Sequence, residues 1–338
     1  IIYTRSTNPH YNLALEELLF ETEQGFCLYL WQNKNTVVIG RNQNAWKECR
    51  IDELEADGGR LARRSSGGGA VFHDMGNLNF TFIAPNEGYD VTRQLGVIIR
   101  AVQRLGIEAS FTGRNDIVTS TGAKFSGNAF RKGKTASMHH GTLLVDVDMN
   151  KLSRYLMPSP AKLAAKGIDS VRSRVANLTE FRPSLSVGEL KEAVASAFIK
   201  EYGQCETLKE EALDSSKLLE KTALYSSWEW NKGSSPSFDL SLSNRFSWGE
   251  LTLELSLQNG RISQLHPWSD AMDEQMIQAL PGVLTGHRLD MEELAAAISS
   301  LGTPEAHLDV HYAYAEILVA YSHGFSSGMQ GKYHVALE

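Results

Sequence analysis

The chain has 338 residues, more than a single hydrophobic core usually holds, so more than one domain is expected. With 42% hydrophobic and 22% charged residues it has the composition of a soluble globular protein, and no apolar run approaches the roughly 20 residues of a membrane span. The net charge of −7 hides an asymmetry, 22 Lys and Arg against 18 Asp and Glu in residues 1–180 but 11 against 22 in 181–338, which points anionic ligands to the first half and disfavours nucleic acid.

The opening Ile1-Ile2-Tyr3-Thr4-Arg5 lacks the layout of a signal peptide. The absent initiator Met points to trimmed numbering, with Leu337-Glu338 as a vector scar. Cys27, Cys49 and Cys205 form no close pair and no metal-ligand spacing, which fits a reduced, cytoplasmic setting. Asn8-Pro9 opens a helix, and Tyr11, Ala14, Leu15 and Leu18 repeat at helical spacing with Asn12 and Glu16 on or beside that face. Residues 26–31 and 36–40 read as a β-hairpin around the polar turn 32–35. A short helix over 46–56 ends at Gly58-Gly59.

The next stretch, Arg63-Arg64-Ser65-Ser66-Gly67-Gly68-Gly69-Ala70-Val71-Phe72-His73-Asp74, reads as strand, loop, strand. Three glycines allow positive φ angles that turn several N–H groups toward one point, a nest for phosphate or carboxylate to which Arg63 and Arg64 add charge. A glycine-rich hairpin turn with a solvated arginine pair is the plainer alternative. The loop has neither the Gly-Lys-Ser/Thr ending of a P-loop nor the spacing of a dinucleotide fingerprint.

Residues 77–83 alternate polar and apolar, the period of a half-buried strand. A helix over 91–105 carries Leu95, Ile98, Ile99, Val102 and Leu105 on one side and stops at Gly106. Strand candidates follow at Gly113-Arg114-Asn115-Asp116-Ile117-Val118, at Lys124-Phe125-Ser126-Gly127-Asn128-Ala129 beyond a Thr121-Gly122 turn, and at His139-His140-Gly141-Thr142-Leu143-Leu144-Val145. Many strands on short turns, with helices grouped between them, favour a mixed-sheet α+β fold over regular βαβ alternation. Residues 158–182, rich in Pro, Ser, Lys and Arg, read as a long binding loop or a bland solvated one. Ser186 and Glu189 form a capping box, and Trp228-Glu229-Trp230 reads as core packing.

The pattern changes at about Asn244. Alternating Leu251, Leu253, Leu255 and Leu257 turn at Asn259-Gly260 into a second strand, and helices follow near 271–280, 290–301 and 303–322. The expected division is a large domain over 1–243 and a small α+β accessory domain over 244–338.

Lys124, on a half-buried strand near the glycine loop, can neutralise a phosphate and stabilise charge on a developing carbonyl oxygen, or be an ordinary surface lysine. Asp116 can hold Mg²⁺ or cap a turn. His73, His139 and His140 lack companions at metal-ligand spacing and read as hydrogen-bonding or packing residues. No cysteine lies between 50 and 204, which leaves a thioester mechanism little support.

Taken together, the glycine loop, Gly113-Arg114-Asn115-Asp116, Lys124-Phe125-Ser126-Gly127-Asn128-Ala129, His139-His140-Gly141-Thr142-Leu143-Leu144 and Ser170-Val171-Arg172-Ser173-Arg174-Val175 resemble lipoate-protein ligase A. The likeness runs from the helix around Asn12 through Trp228-Glu229-Trp230 and more weakly into the terminal domain. It implies a catalytic domain related to biotin ligases and class II synthetases, with a mobile accessory domain. It implies a reaction in which lipoate attacks the α-phosphate of ATP, with Mg²⁺, to give lipoyl-AMP and pyrophosphate, after which a carrier lysine takes the acyl group.

By the same resemblance Arg64, Gly69, Ala70, Val71 and Phe72 line the adenylate, and Asn115 and Asp116 serve the nucleotide, with Asp116 on its metal. Lys124 is catalytic and contacts both phosphate and acyl oxygen. Ser66, Gly67 and His73, with Arg64 and Lys124, border lipoate, and 167–177 closes over the adenylate. The implied acceptors are apo lipoyl domains of 2-oxoacid dehydrogenase E2 subunits and the glycine-cleavage H protein. Two alternatives stay open: a lipoyltransferase that uses preformed lipoyl-AMP, and an octanoyltransferase of the same fold.

Overall fold

The computed structural model describes residues 1–22, 25–112, 116–157, 175–232, 240–246, 248–258, 261–288 and 291–299. The chain divides into two units, the first Ile1–Ile39, Ala45–Ser65 and Ala70–Gly233, the second Gly40–Asn44, Ser66–Gly69 and Ser234–Glu338. Among the described residues no helix is long and apolar enough to cross a membrane.

In chain order the strands of the first unit are β1 (Ile2–Tyr3), β2 (Cys27–Trp31), β3 (Thr36–Ile39), β4 (Arg60–Arg63), β5 (Val71–His73), β6 (Asn77–Pro85), β7 (Ala109–Thr112), β8 (Asp116–Thr119), β9 (Lys124–Lys132) and β10 (Ala136–Leu144). Its helices are α1 (Pro9–Thr22), α2 (Ala45–Glu48), α3 (Ile51–Ala56), α4 (Val91–Arg104), α5 (Met149–Tyr155), α6 (Val187–Tyr202), α7 (Ser215–Ser226) and α8 (Trp228–Asn231). A seven-stranded sheet takes the order β1-β2-β6-β10-β9-β8-β7, antiparallel except for β1 with β2. This is the mixed-sheet α+β architecture that the sequence implies.

The two-residue alternation of β6 sends Leu78, Phe80 and Phe82 into the core shared with α4 and α6, and Thr81 and Ile83 to the opposite face, toward α1. Because helices cover both faces, 77–84 are buried throughout and not half-buried as the alternation predicts. The polar residues on the α1 face therefore line an interior, and each needs an internal partner.

Three further expectations give way. Residues 26–31 and 36–40 do not form a hairpin, since β2 joins the large sheet while β3 is central in a second sheet of order β4-β3-β5. The intervening turn is tied to α1 instead: Asn12 Nδ2 donates to Gln32 O at 2.9 Å and Asn33 Oδ1 at 3.0 Å, and Lys34 N–H to Thr7 O at 3.1 Å. Strands β4 and β5 pair with opposite edges of β3, one parallel and one antiparallel, so the glycine loop between them is a crossover and not a hairpin turn. The helix expected over 46–56 breaks into α2 and α3, with Cys49 bridged to Leu156 at the break.

The Ser186–Glu189 capping box opens α6, with Glu189 N–H on Ser186 Oγ at 3.2 Å and Ser186 N–H on Glu189 Oε2 at 2.9 Å. Of the tryptophan pair, Trp230 packs against the α1 core while Trp228 stays half exposed.

In the second unit β11 (Leu240–Phe246), β12 (Gly249–Gln258) and β13 (Arg261–Ser269) form an antiparallel sheet, with α9 (Glu274–Leu284) and α10 (Met291–Ser299) following. Leu251, Leu253 and Leu255 meet Ile277, Leu280 and Leu284 in one core. Strand β11 runs through position 244, and the Leu240-Ser241-Leu242-Ser243 alternation already marks it. The helix expected over 303–322 lies outside the described residues.

The second unit also holds most of the glycine loop, and close packing explains its composition. A Cβ on Gly67 would lie 2.3 Å from Ala271 O, and one on Gly40 would lie 2.1 Å from Gly68 O. Only Gly68 of the three has positive φ, at 90°, and its N–H donates to Ala271 O at 2.9 Å, so that donor is taken within the unit. Gly40→Ala should cost about 1–3 kcal/mol by overpacking, read from the urea midpoint, whereas Gly25→Ala, with no atom within 4 Å, should leave the midpoint unchanged.

Candidate active site

Adjacent residues of an extended chain point opposite ways, and this separates Arg63, the last residue of β4, from Arg64 just after it. Arg63 turns to α8: its N–H donates to Asn231 Oδ1 at 2.8 Å, its Nε to Trp230 O at 2.8 Å and its Nη2 to Asn231 O at 2.9 Å. Trp230 Nε1 donates back to Arg63 O at 2.8 Å. Arg63 is thus a structural anchor, not half of a charge pair for a ligand. Arg64 points into the interior, with Nη1 at 3.4 Å from Val38 O, and burial lowers its pKa to about 10 against the opposing pull of the Glu16 carboxylate.

Glu16 itself is buried on α1. It accepts from Thr81 Oγ1 at 2.6 Å and lies 2.8 Å from His140 Nδ1, while Trp31 Nε1 donates to Thr81 Oγ1 at 3.1 Å. A second relay starts at Asn12, passes through Asn33 Oδ1, and reaches His73, whose Nδ1 accepts from Asn33 Nδ2 at 3.2 Å. That contact puts the proton of a neutral His73 on Nε2, which is buried and has no hydrogen-bond partner among the described residues. A buried N–H without an acceptor costs about 1–3 kcal/mol, so this atom is suited to a ligand oxygen or sulfur.

Lys124 and Asp116 form the second focus. A register shift between Ile117 and Val118 brings Lys124, at the start of β9, opposite β8, and its Nζ lies 2.6 Å from Asp116 Oδ1. The two side chains are 34% and 37% exposed, so the pair is accessible from solvent. Oδ1 is itself shielded from solvent, so it is the rest of the Asp116 carboxylate that a ligand can reach. Lys124 O accepts Ala176 N–H at 2.9 Å, fixing the backbone beneath the amine. A Cβ on Gly127 would come within 3.1 Å of Nζ, so that glycine clears the lysine's path.

Cross-strand pairing places Asp116, Gly127, His140 and Thr81 on one face of the large sheet, the face toward α1. The expected site residues Arg64, Ala70, Val71, Phe72, His73, Asp116 and Lys124 belong to the first unit, and Ser66, Gly67 and Gly69 to the second. Among them, Lys124 and Asp116 are brought into contact, and Arg64 and His73 into electrostatic reach of each other and of Glu16 or His140. Phe72 is core, stacked at a tilt on Tyr155 with centroids 5.5 Å apart. Asn115 and most of 167–177 lie outside the described residues. Glu16, noted in the sequence only for its place beside the apolar face of α1, and His140, read there as a hydrogen-bonding or packing residue, are joined by Trp31, Asn33 and Thr81, to which no sequence signal points.

His139 packs between Gln94 and Asn128, its ring nitrogens 3.0 and 2.8 Å from their oxygens. Since Gln94 Nε2 has no acceptor, turning that amide lets it donate to Nδ1 and leaves a neutral ring to donate to Asn128. Burial pushes the pKa values of His73 and His139 down to about 3, with Arg64 and then His140 adding to the effect on His73, and His140 to that on His139. Below the ordinary value of 6.5 the unfolded chain takes up protons that the folded one refuses. Their contribution is therefore held above pH 6.5 and lost as pH falls toward 3, at about 1.4 kcal/mol per pH unit for each ring. Thermal unfolding followed from pH 7 to pH 5 should show a falling midpoint, with a shallower fall in His139→Gln.

Residues 8–199 match the family described as the lipoyl protein ligase A/B catalytic domain, and residues 235–312 match the bacterial lipoate protein ligase C-terminus. Among solved structures, the chain is similar to P. falciparum LipL1 in complex with lipoate, at 27% identity and TM-score 0.82, over 95% of this chain and 98% of that one. It is 30% identical to a bipartite lipoate protein ligase from Thermoplasma acidophilum, whose structural description includes its E2 lipoyl domain, over 70% of this chain and 97% of that one, with TM-score 0.61. A lipoate-protein ligase A bound with ATP matches at 29% identity and TM-score 0.58, over 67% of this chain and 94% of that one. With the catalytic-domain match covering more than half of its length, the chain belongs to the lipoyl protein ligase A/B family.

Proposed function

We propose that this protein is an ATP-dependent lipoate-protein ligase, which activates lipoate to lipoyl-AMP and transfers the lipoyl group to a specific lysine of apo lipoyl carrier domains. The observation that carries the reading is the accessible Lys124–Asp116 contact of 2.6 Å. A transferase acting on a preformed adenylate needs the lysine but has no triphosphate to manage. A carboxylate beside it, partly cancelling its charge, is of use where a metal-bound triphosphate occupies the site. Asp116 is a single accessible carboxylate, which fits Mg²⁺ that takes its other ligands from phosphate and water and supplies charge neutralisation.

In the first step a carboxylate oxygen of lipoate attacks the α-phosphorus and pyrophosphate leaves. Arg64 and Lys124 offset the repulsion between the anions, and His73 Nε2–H offers a hydrogen bond to the acid's lipoyl end. In the second step the neutral amine of a carrier lysine attacks the acyl carbon, an oxyanion develops beside Lys124 Nζ, and the C–O bond breaks as AMP departs with its electron pair and the nitrogen releases one proton to solvent. An octanoyl transfer through cysteine is disfavoured: Cys27 and Cys49 are buried, burial pushes the Cys49 thiol up to about 12, and the exposed Cys205 lies beyond the end of α6 and not among the site residues.

The test is the intact mass of an apo lipoyl domain incubated with lipoate and Mg-ATP, or with lipoyl-AMP alone. Modification under both conditions is the expected result. Modification from lipoyl-AMP only would make the protein a transferase, and none under either would overturn the reading.

A further inference from the structure

Among the described residues β7 pairs with β8 alone, so one side of it is a free edge of the large sheet. The direction of its backbone groups follows from β8. Thr119 N–H donates to Ala123 O at 2.9 Å, on the β9 side, so alternation turns Val118 and Asp116 toward β7. Ser110–Val118 and Thr112–Asp116 are then the hydrogen-bonded pairs, and Ala109 and Phe111 present N–H and C=O outward. Ser110, Phe111 and Thr112 are exposed, and neither proline nor charge guards the strand.

This edge joins two other features. At its start, Gln103 Nε2 reaches Ala109 O at 3.5 Å, and Gln103 lines a cleft of about 320 Å³ with Arg100, Arg104, Ala197 and Lys200. At its end, Thr112 lies opposite Asp116, the partner of Lys124. The edge thus spans roughly 10 Å from a basic cleft to the reactive pair. Phe111, opposite buried Ile117, shares the face of α4 and α6, while Thr112 shares the face of Asp116.

We propose that β7 is the docking edge for the acyl acceptor. A carrier domain with a free strand edge and an acidic flank adds a strand to β7, sets its carboxylates against Arg104 and Lys200, beside the Arg100–Glu201 ion pair, and thereby brings its lysine to the Asp116–Lys124 end. Unpaired backbone groups call for a strand, the basic cleft for an acidic neighbour, and the placement beside Lys124 for a substrate. This rests on the ligase reading above.

Two variants outside the reacting groups test it. Phe111→Pro removes the outward N–H without removing a bond to β8. Arg104→Glu reverses one charge of the cleft. In both, trapping of lipoyl-AMP by hydroxylamine should equal that of the unaltered protein, while KM for an apo lipoyl domain rises about tenfold with kcat kept. In the unaltered protein, the apo lipoyl domain should slow amide hydrogen exchange across 109–112. An unchanged KM in either folded variant, or exchange at 109–112 unmoved by the carrier, overturns the proposal. Should Phe111→Pro fail to fold, Arg104→Glu and the exchange measurement decide. Failure of the unaltered protein to form hydroxamate would instead strike the ligase reading, and the exchange measurement would still judge the docking edge.

Discussion

Lys124→Met should abolish ligation and leave the fold intact. The Nζ atom is the accessible cation beside Asp116, and the proposed mechanism uses it twice, at the phosphate and at the acyl oxyanion. Loss of one such donor typically costs about 2.7–4 kcal/mol of barrier, and here both steps lose it. The structural cost is small because the side chain is a third exposed and Met keeps the apolar stem. The backbone bonds of residue 124, to Ala176 and across to Val118, do not depend on the amine. The check is carrier mass together with circular dichroism; full activity with an unchanged spectrum would refute the assignment.

Arg64→Leu should lose both activity and stability, and a second substitution should return only the stability. The guanidinium is buried and faces the Glu16 carboxylate, itself buried with His140 and Thr81. Arg64 lies within electrostatic reach of that carboxylate, so removing it leaves Glu16 less compensated, at a cost below the about 3–5 kcal/mol of a broken direct buried pair. Adding Glu16→Gln removes that charge, so the double variant should regain most of the unfolding free energy in urea while remaining unable to modify a carrier. Ligation by either variant would remove Arg64 from the proposed site. A single variant as stable as the parent would show that the charge of Glu16 is balanced elsewhere.

What is legible in the sequence is local: Lys124 ahead of Ser126-Gly127 and the Ser186–Glu189 box each act within a few residues. The network around Glu16 is not, because Trp31, Thr81 and His140 meet it from three strands with no spacing to connect them. The false hairpin at 26–40 has a related cause: the turn is polar because Asn12, twenty residues before Gln32, holds it, and not because it closes two strands. The glycine run predicts freedom for an anion nest, whereas at Gly67 it is the approach of the Ala271 carbonyl oxygen that forbids a side chain.

The opposite facing of Arg63 and Arg64 has a consequence for how the chain tolerates change. Deleting one residue from β4 exchanges the inward and outward positions of everything that follows up to the loop. Arg64 would then take the place that faces α8, and Ser65 the inward place of Arg64, so the buried guanidinium would be lost from that position. Length in this four-residue strand is therefore a stricter requirement than identity at most of its positions, and insertions or deletions there should be absent from any functional library built on this scaffold.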